Sequence, residues 1–448
     1  MFNNQRNIDM CNGKILGPLI AFSLPIMFTG LLQLLYNAAD IIVVGNFAGD
    51  ASVAAVSSTG ALTSLLVNFF MGLSVGASVV ISRAYGARDS RMVFESVHTA
   101  AVLAALSGVA VAVGGFFTAK PLLQLMGSPA DVIDLSTLYL KIIFLGMPAN
   151  MVYNFFAAIL RAVGDSRRPL IFLAISGLIN VALNLLFIIV FHMTVDGVAL
   201  ATIISQYISA AMITVCLLRS SGSYKLHLRE IRIYRCAGEM LRIGLPAGLQ
   251  SSLFSLSNIL IQSSINSFGK IAMAGSGAAA SIEGFVYTAM NSIAQATTTY
   301  TAQNVGARRF DRLNKINLYA LTAAAVTGVS LGALVNIFGR PLLNLYISDA
   351  TAIGYGIERL RWICLPYLLC GMMDVQANHL RGMGCSLMPT VTSLIGVCAL
   401  RVFWVSAIFA MHRSLAVLYL SYPVSWTIVF IVNAITTVVV THNLKKRA

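Results

Sequence analysis

The chain repeats itself at an offset of 220 residues. Leu160-Arg161-Ala162-Val163-Gly164-Asp165-Ser166-Arg167-Arg168-Pro169 returns as Leu380-Arg381-Gly382-Met383-Gly384-Cys385-Ser386-Leu387-Met388-Pro389, with five of ten positions identical. Pro121-Leu122-Leu123-Gln124-Leu125 pairs with Pro341-Leu342-Leu343-Asn344-Leu345, and Gly86-Ala87-Arg88 with Gly306-Ala307-Arg308, in the same register and without a gap. Any fold for this chain must therefore build two related halves on one frame.

Both halves are too apolar for water. Of 448 residues, 58% are hydrophobic and 10% charged, where a soluble domain carries about 25% charged residues. Between Lys14 and Asp40 lie 25 uncharged residues, and roughly 20 suffice for a helix to cross a bilayer. Similar stretches recur near 17–44, 53–82, 93–119, 133–158, 169–191, 196–218, 239–268, 273–302, 316–338, 351–379, 388–410 and 415–440. In hydrocarbon only helices and closed barrels satisfy the backbone. These stretches are apolar all round and do not alternate as barrel strands do, so even the β-branched run Ile41-Ile42-Val43-Val44 reads as helix. The expected fold class is an all-α polytopic membrane protein, with twelve transmembrane helices in two six-helix pseudo-symmetric lobes. The expected boundaries are an N-terminal lobe over 1–218, a cytoplasmic linker over 219–238 and a C-terminal lobe over 239–448. The linker opens with Ser220-Ser221-Gly222-Ser223, a flexible start.

The net charge of +14 sits in short connections. It orients the chain in the membrane and touches anionic lipid; no nucleic-acid partner is implied. Of the 30 basic residues, 22 fall at the N-terminus, in the even-numbered loops or in the tail, from Arg6 to Arg447. That count places both termini in the cytoplasm. Six spans per half give the halves one orientation, related by an axis along the membrane normal. The seven cysteines, Cys11, Cys216, Cys236, Cys364, Cys370, Cys385 and Cys398, include no close metal-type pair and read as small buried hydrophobes. No phosphate-binding loop, zinc-protease motif or soluble catalytic domain is present, so no enzyme, metal site or cofactor is expected. No filter-like repeat suggests a channel.

Polar residues inside the spans carry the functional reading. A lone carboxylate there costs about 3 kcal/mol on insertion scales, so Asp40 must face protein or water. It suits proton uptake, or with amide and hydroxyl oxygens a sodium ion; partial hydration at a helix end is the plainer account. Gln33, Asn37 and Asp40 fall near one stripe of the first helix. Asn180 and Asn184 share a face of the fifth, and Thr202 on the sixth joins them if packing allows. Ion coordination and simple interhelical hydrogen bonding both remain open for these amides. Glu283 and Asp374 in the second half are candidate coupling acids, with buried structural acids as the alternative. At the repeat offset Asp374 corresponds to Asn154, Glu283 to Thr63 and Asp40 to Leu260, so the halves share a frame but not their charges. Pro25 and Pro246 lie early in spans one and seven, and Pro148 and Pro366 interrupt spans four and ten. Gln33, Tyr36, Asn37, Tyr139, Met151, Asn154, Thr202 and Tyr287 are the expected lining of a cavity for bulky lipophilic cations, against the plainer role of filling packing gaps.

Leu24-Pro25, Asp40 through Gly45, Gly76-Ala77, Gly86, Leu160-Arg161-Ala162-Val163-Gly164-Asp165, and Asp374 with Leu380-Arg381-Gly382 resemble the pattern of the prokaryotic multidrug and toxic compound extrusion family over nearly the whole chain. The resemblance implies a twelve-span antiporter expelling organic cations, drugs and dyes in exchange for sodium or protons. It implies that Asp40, Asn180 and Asn184 line an N-terminal cation site, with Asp374 in the C-terminal lobe. Two departures stand out. Many members carry a second acid where this chain has Asn184. Sodium-linked relatives often have an acid in span seven, where this chain has Gln250, Asn258 and Gln262; Glu283 in span eight is the expected substitute.

The expected function is secondary antiport by alternating access, exporting organic cations against H+ or Na+ and depending on no cofactor. The expected protein is a monomer in the cell inner (plasma) membrane. Two rivals are a lipid-linked saccharide flippase, which would favour a cationic central cavity, and a non-transporting membrane receptor or scaffold, which would tolerate loss of the buried acids.

Overall fold

A computed structural model describes residues 8–47, 50–125 and 132–446; Arg6 and Arg447, used above to orient the chain, lie outside them. The first half supplies α1 (Leu16–Phe47), α2 (Asp50–Gly86), α3 (Ser90–Leu125), α4 (Ile133–Ala162), α5 (Arg167–Leu185) with a wider π-helical end at Leu186–Val190, and α6 (Val195–Arg219). The second supplies α7 (Ala237–Asn266), α8 (Lys270–Gly306), α9 (Leu313–Ile337), the short α10 (Gly339–Asn344), α11 (Ala350–Cys364) and α12 (Tyr367–Gly382). It ends with α13 (Leu387–Ser393), α14 (Leu400–Phe403), α15 (Phe409–Met411) and α16 (Leu415–Lys446), with π-helical stretches at Leu394–Ala399 and Trp404–Ile408.

These elements follow the twelve expected spans in order. Span ten is α11 and α12, parted at Leu365-Pro366, and span eleven is α13 to α15 with its π stretches. Pro25, Pro148 and Pro246 stay inside continuous helices; Pro366 alone of the four breaks one. Among the described residues there is no strand, and nine helical stretches are long and apolar enough to cross a membrane. The other three spans are α7 and α8, diluted by Ser, Thr, Asn and Gln, and the parted α11–α12. The chain is an all-α polytopic membrane protein of two six-span halves.

The sequence repeat is a repeat of helix endings. After α4, Gly164 adopts φ +92°, Asp165 N–H reaches the Leu160 carbonyl at 2.9 Å, and Gly164 N–H reaches Arg161 at 3.0 Å. After α12, Gly384 adopts φ +82°, with Cys385 N–H to Leu380 at 2.9 Å and Gly384 N–H to Arg381 at 2.8 Å. A left-handed residue past the last turn, returning hydrogen bonds to orphan carbonyls, is how a helix stops sharply, and glycine adopts it without Cβ strain. Pro169 and Pro389 then sit in the first turn of the next helix, where the missing N–H is no loss. The Gly-Ala-Arg pair behaves alike. Arg88 and Arg308 take φ +58° and +55°, and Asp89 N–H to Ala84 (3.0 Å) matches Arg309 N–H to Asn304 (2.8 Å).

Contacts divide the described chain into two compact units, Phe28–Gly248 and Ile8–Met27 with Leu249–Ala448. Helices α1 and α7 are each shared, and Pro25 and Pro246 lie just before the two handovers. In the first unit Leu140, Phe144, Met147 and Met151 of α4 pack with Val111 and Leu123 of α3. In the second, Met290 of α8, Leu360 of α11, Tyr367 of α12 and Tyr419 with Trp426 of α16 pack into one cluster. Lipid tails are as apolar as these side chains, so close packing and buried polar contacts, rather than escape from water, hold the helices to each other.

Candidate functional site

In the first unit α1, α5 and α6 bring Asp40 into a closed polar knot. Asn184 donates its amide to Asp40 Oδ1 at 2.5 Å, and Thr202 donates its hydroxyl to Asp40 Oδ2 at 3.4 Å. The same Asn184 amide lies 3.3 Å from Asn180 Oδ1, and the Asn180 amide 3.4 Å from the Thr202 hydroxyl. Asp40, Asn180 and Asn184 are all buried. The four expected residues are thus together, and a carboxylate in this setting is met by donors on both oxygens. The Asn184 carbonyl oxygen has no hydrogen-bond partner among the described residues. It stands as a buried acceptor beside a carboxylate, and oxygens are the ligands that hard cations take.

The facing stripe of α1 is rotated from the expected one. Tyr36, one turn before Asp40, donates its hydroxyl to the Ala174 carbonyl of α5 at 3.3 Å, and its ring fills the place a Cβ on Gly177 would take. Gln33 and Asn37 are exposed. At 100° per residue, Tyr36 lies about 40° from Asp40 and Asn37 about 60° on the other side, so α5 covers one flank and leaves the other bare. Tyr139 of α4 lies within electrostatic reach of Asp40.

Two expected lining residues are placed otherwise. Met151 is fully buried in the α3–α4 cluster, where it fills packing space. Asn154 is buried and spends its amide within its own helix, on the Asn150 carbonyl and side-chain oxygens at 2.9 Å each. Neither offers a surface to a ligand.

In the second unit Asp374 of α12 meets α8, where the Tyr287 hydroxyl and the Asn291 amide lie within electrostatic reach of its carboxylate. Asn291 also donates to the Tyr287 oxygen at 3.2 Å, and Gln295 to Asn291 at 2.7 Å, a ladder of residues four apart. Tyr287 is 39% exposed and Asp374 is half-buried. Arg381, one residue beyond Leu380 in the repeated motif, lies within electrostatic reach of Asp374. Its guanidinium donates to Gln250 Oε1 at 2.7 Å and to Asn378 Oδ1 at 3.3 Å.

Glu283 is a correction. Its two oxygens accept from Arg359 Nε at 2.7 Å and Nη2 at 2.9 Å, and Arg359 Nη1 donates to Ser276 at 2.7 Å. Both partners are buried. A carboxylate closed bidentately by a fixed guanidinium has no oxygen turned to a mobile ion, so the expectation that Glu283 substitutes for a span-seven acid does not fit its geometry. Sequence reasoning missed Arg359 and Arg401. The available signal was that both fall inside expected spans, where a basic residue must find a partner.

The fold and these sites define a multi-pass membrane transporter rather than an enzyme. The MatE family pattern matches residues 25–186 and 246–406, one match per half, and the chain belongs to this family of multidrug efflux transporters. It is 31% identical over 397 residues to the probable multidrug resistance protein YpnP of Bacillus subtilis strain 168, covering 88% of each chain. It is 24% identical over 391 residues to the multidrug export protein MepA of Staphylococcus saprophyticus, covering 86% of this chain and 85% of that one. In fold it is similar to an outward-facing multidrug resistance MATE family transporter of the MOP superfamily, with a TM-score of 0.90 at 23% identity, over 99% of this chain and 100% of that one.

Proposed function

We propose that the chain is a secondary antiporter that exports organic cations in exchange for H+ or Na+, with the coupling ion taken up at Asp40. The observation that carries this reading is the Asp40 carboxylate held by Asn184 and Thr202 beside the unpartnered Asn184 carbonyl. Protonation of Asp40, or sodium bound between these oxygens, changes which contacts the knot can keep. That gives the ion a differential affinity for two arrangements of α1 against α5, the requirement for coupling. Asp374 with Tyr287 and Asn291 is the second candidate coupling contact, in the second unit. Gln33, Asn37 and Tyr139 complete the candidate lining in the first unit. The protein works as a monomer in the cell inner (plasma) membrane with both termini cytoplasmic, as the basic loops favour.

The test is uptake of a fluorescent organic cation into proteoliposomes, with sodium and proton gradients imposed separately. One gradient should drive transport in wild type and not in Asp40→Asn. Equal transport by the two proteins under both gradients would overturn the reading.

A further inference from the structure

The repeat frame places a fixed cation in the second unit where the first holds its carboxylate knot. In the first unit the knot is made by the first, fifth and sixth spans through Asp40, Asn180 with Asn184, and Thr202. Adding 220 to Thr202 gives Tyr422, and adding it to Asn180 gives Leu400, next to Arg401. In the second unit the corresponding spans, α7, α14 and α16, meet through Asn258, Arg401 and Tyr422. Arg401 Nη1 donates to Asn258 Oδ1 at 3.2 Å, and the guanidinium lies over the Tyr422 ring at 4.1 Å from its centroid.

Arg401 is 2% exposed, the bulkiest fully buried side chain among the described residues. Its Nε has no hydrogen-bond partner there, and no described carboxylate lies within ion-pair distance. The groups that act on it electrostatically are Tyr422, Cys370, Cys398 and Tyr367. Glu283 is closed by Arg359, and Asp374 has Arg381 within electrostatic reach. Arg312, also buried, sits at the start of α9 and donates to the Gly13 carbonyl at 3.0 Å, whereas Arg401 lies within a span and meets no described carboxylate. A buried guanidinium without a counter-charge is costly, and a neutral amide with an aromatic face meets only part of that cost.

The geometry points to a monovalent-anion site in the second unit, a halide or a carboxylate seated on Arg401 with the Asn258 side chain at its edge. Asn258 is itself exposed, which gives the anion a way in, and the Nε hydrogen is the open donor it would take. The anion comes either from solution as chloride or from a substrate that carries a carboxylate. This site is independent of the coupling role proposed for Asp40.

Tryptophan fluorescence of the purified full-length protein in detergent tests it, because Trp426 lies edge-on to Tyr422 at 5.6 Å. Sodium chloride and sodium benzoate are titrated against sodium sulfate, whose divalent anion a monovalent site does not fit, at constant ionic strength. A saturable response to chloride identifies the inorganic source, and a response to benzoate alone identifies an organic carboxylate; either supports the site. Arg401→Gln should weaken that response at least about tenfold, the cost of one charge-assisted partner. Asn258→Asp supplies a built-in carboxylate, so it should abolish the anion response while raising the thermal midpoint in sulfate. Chloride and benzoate titrations that both superimpose on sulfate in wild type, or a response unchanged in Asn258→Asp, would overturn the proposal.

Discussion

Arg359 lays two guanidinium nitrogens against the two oxygens of Glu283, at 2.7 and 2.9 Å, with both side chains buried. A pair closed this way is expensive to break and cheap to replace. Glu283→Gln strands the guanidinium and should cost about 3–5 kcal/mol, whereas exchanging both partners for apolar residues of similar volume should be close to neutral. Thermal unfolding in detergent should therefore show a large drop for Glu283→Gln and recovery in Glu283→Met with Arg359→Leu. If Glu283 is structural, that double variant also keeps gradient-driven export; loss of export with stability retained would return Glu283 to the coupling machinery.

At Asp40 the two sides of the knot separate by experiment. Asp40→Asn should lose gradient-driven export and still insert and fold, because an amide can accept from Thr202 and pair with Asn184. Asn184→Ala removes one hydrogen bond to a charged group, about 1.5–3 kcal/mol, and should change the half-saturating concentration of the driving ion about tenfold or more without abolishing transport. Flux measured against external sodium at fixed pH, then against pH at fixed sodium, decides which ion it is. An unchanged half-saturation for both ions in Asn184→Ala would remove Asn184 from the site.

The frame was open to reading from the chain because its determinants are local. Gly164 and Gly384 stop their helices through hydrogen bonds within six residues, so identical letters at a constant offset carry identical backbone. The meeting of Asp40 with Asn184 was legible only as two polar faces on separate spans; periodicity says which residues share a face, not which helix that face meets. Hence helical spacing puts the polar stripe of α1 over Gln33, Asn37 and Asp40, while packing turns Tyr36 toward α5. The partner of Glu283 lies 76 residues away on α11, and no helical spacing reports a contact made across the bundle. Met151 and Asn154 share their residue types with ligand-lining positions, and only burial tells the two roles apart.

The connection between α6 and α7 is strapped to α3 rather than loose along its length. His98 Nδ1 donates to the Phe94 carbonyl at 2.7 Å, which leaves Nε2 as the acceptor for His227 N–H at 3.0 Å. Beside it, Tyr234 N–H donates to the Thr99 hydroxyl at 3.1 Å, and Tyr224 and Leu226 are buried. His98→Ala leaves the His227 N–H without its acceptor and should cost about 1–3 kcal/mol locally. The readout is limited trypsinolysis at Arg229, Arg232 and Arg235, all exposed. Cleavage there should be faster in His98→Ala than in wild type, with the helices otherwise intact. Identical digestion rates would mean that the strap is held by the Thr99 contact alone.

Helices α2 and α7 cross so closely that one backbone occupies the space of the other's missing side chain. A Cβ on Gly72 would fall on the backbone of Gly248, and one on Gly248 on the Phe69 carbonyl, while a Cβ on Gly114 would meet nothing within 4 Å. Gly72→Ala must therefore push two backbones apart, and overpacking of this kind costs about 1–3 kcal/mol. Gly114→Ala, in the middle of α3, should instead gain up to about 1 kcal/mol, because alanine loses less conformational freedom in a helix. The opposite signs are the test, since both changes add one methyl to a membrane helix. Thermal midpoints in the same detergent should fall for Gly72→Ala and hold or rise for Gly114→Ala. Equal shifts for the two would show that the α2–α7 crossing relaxes freely and that its glycines are not needed for contact.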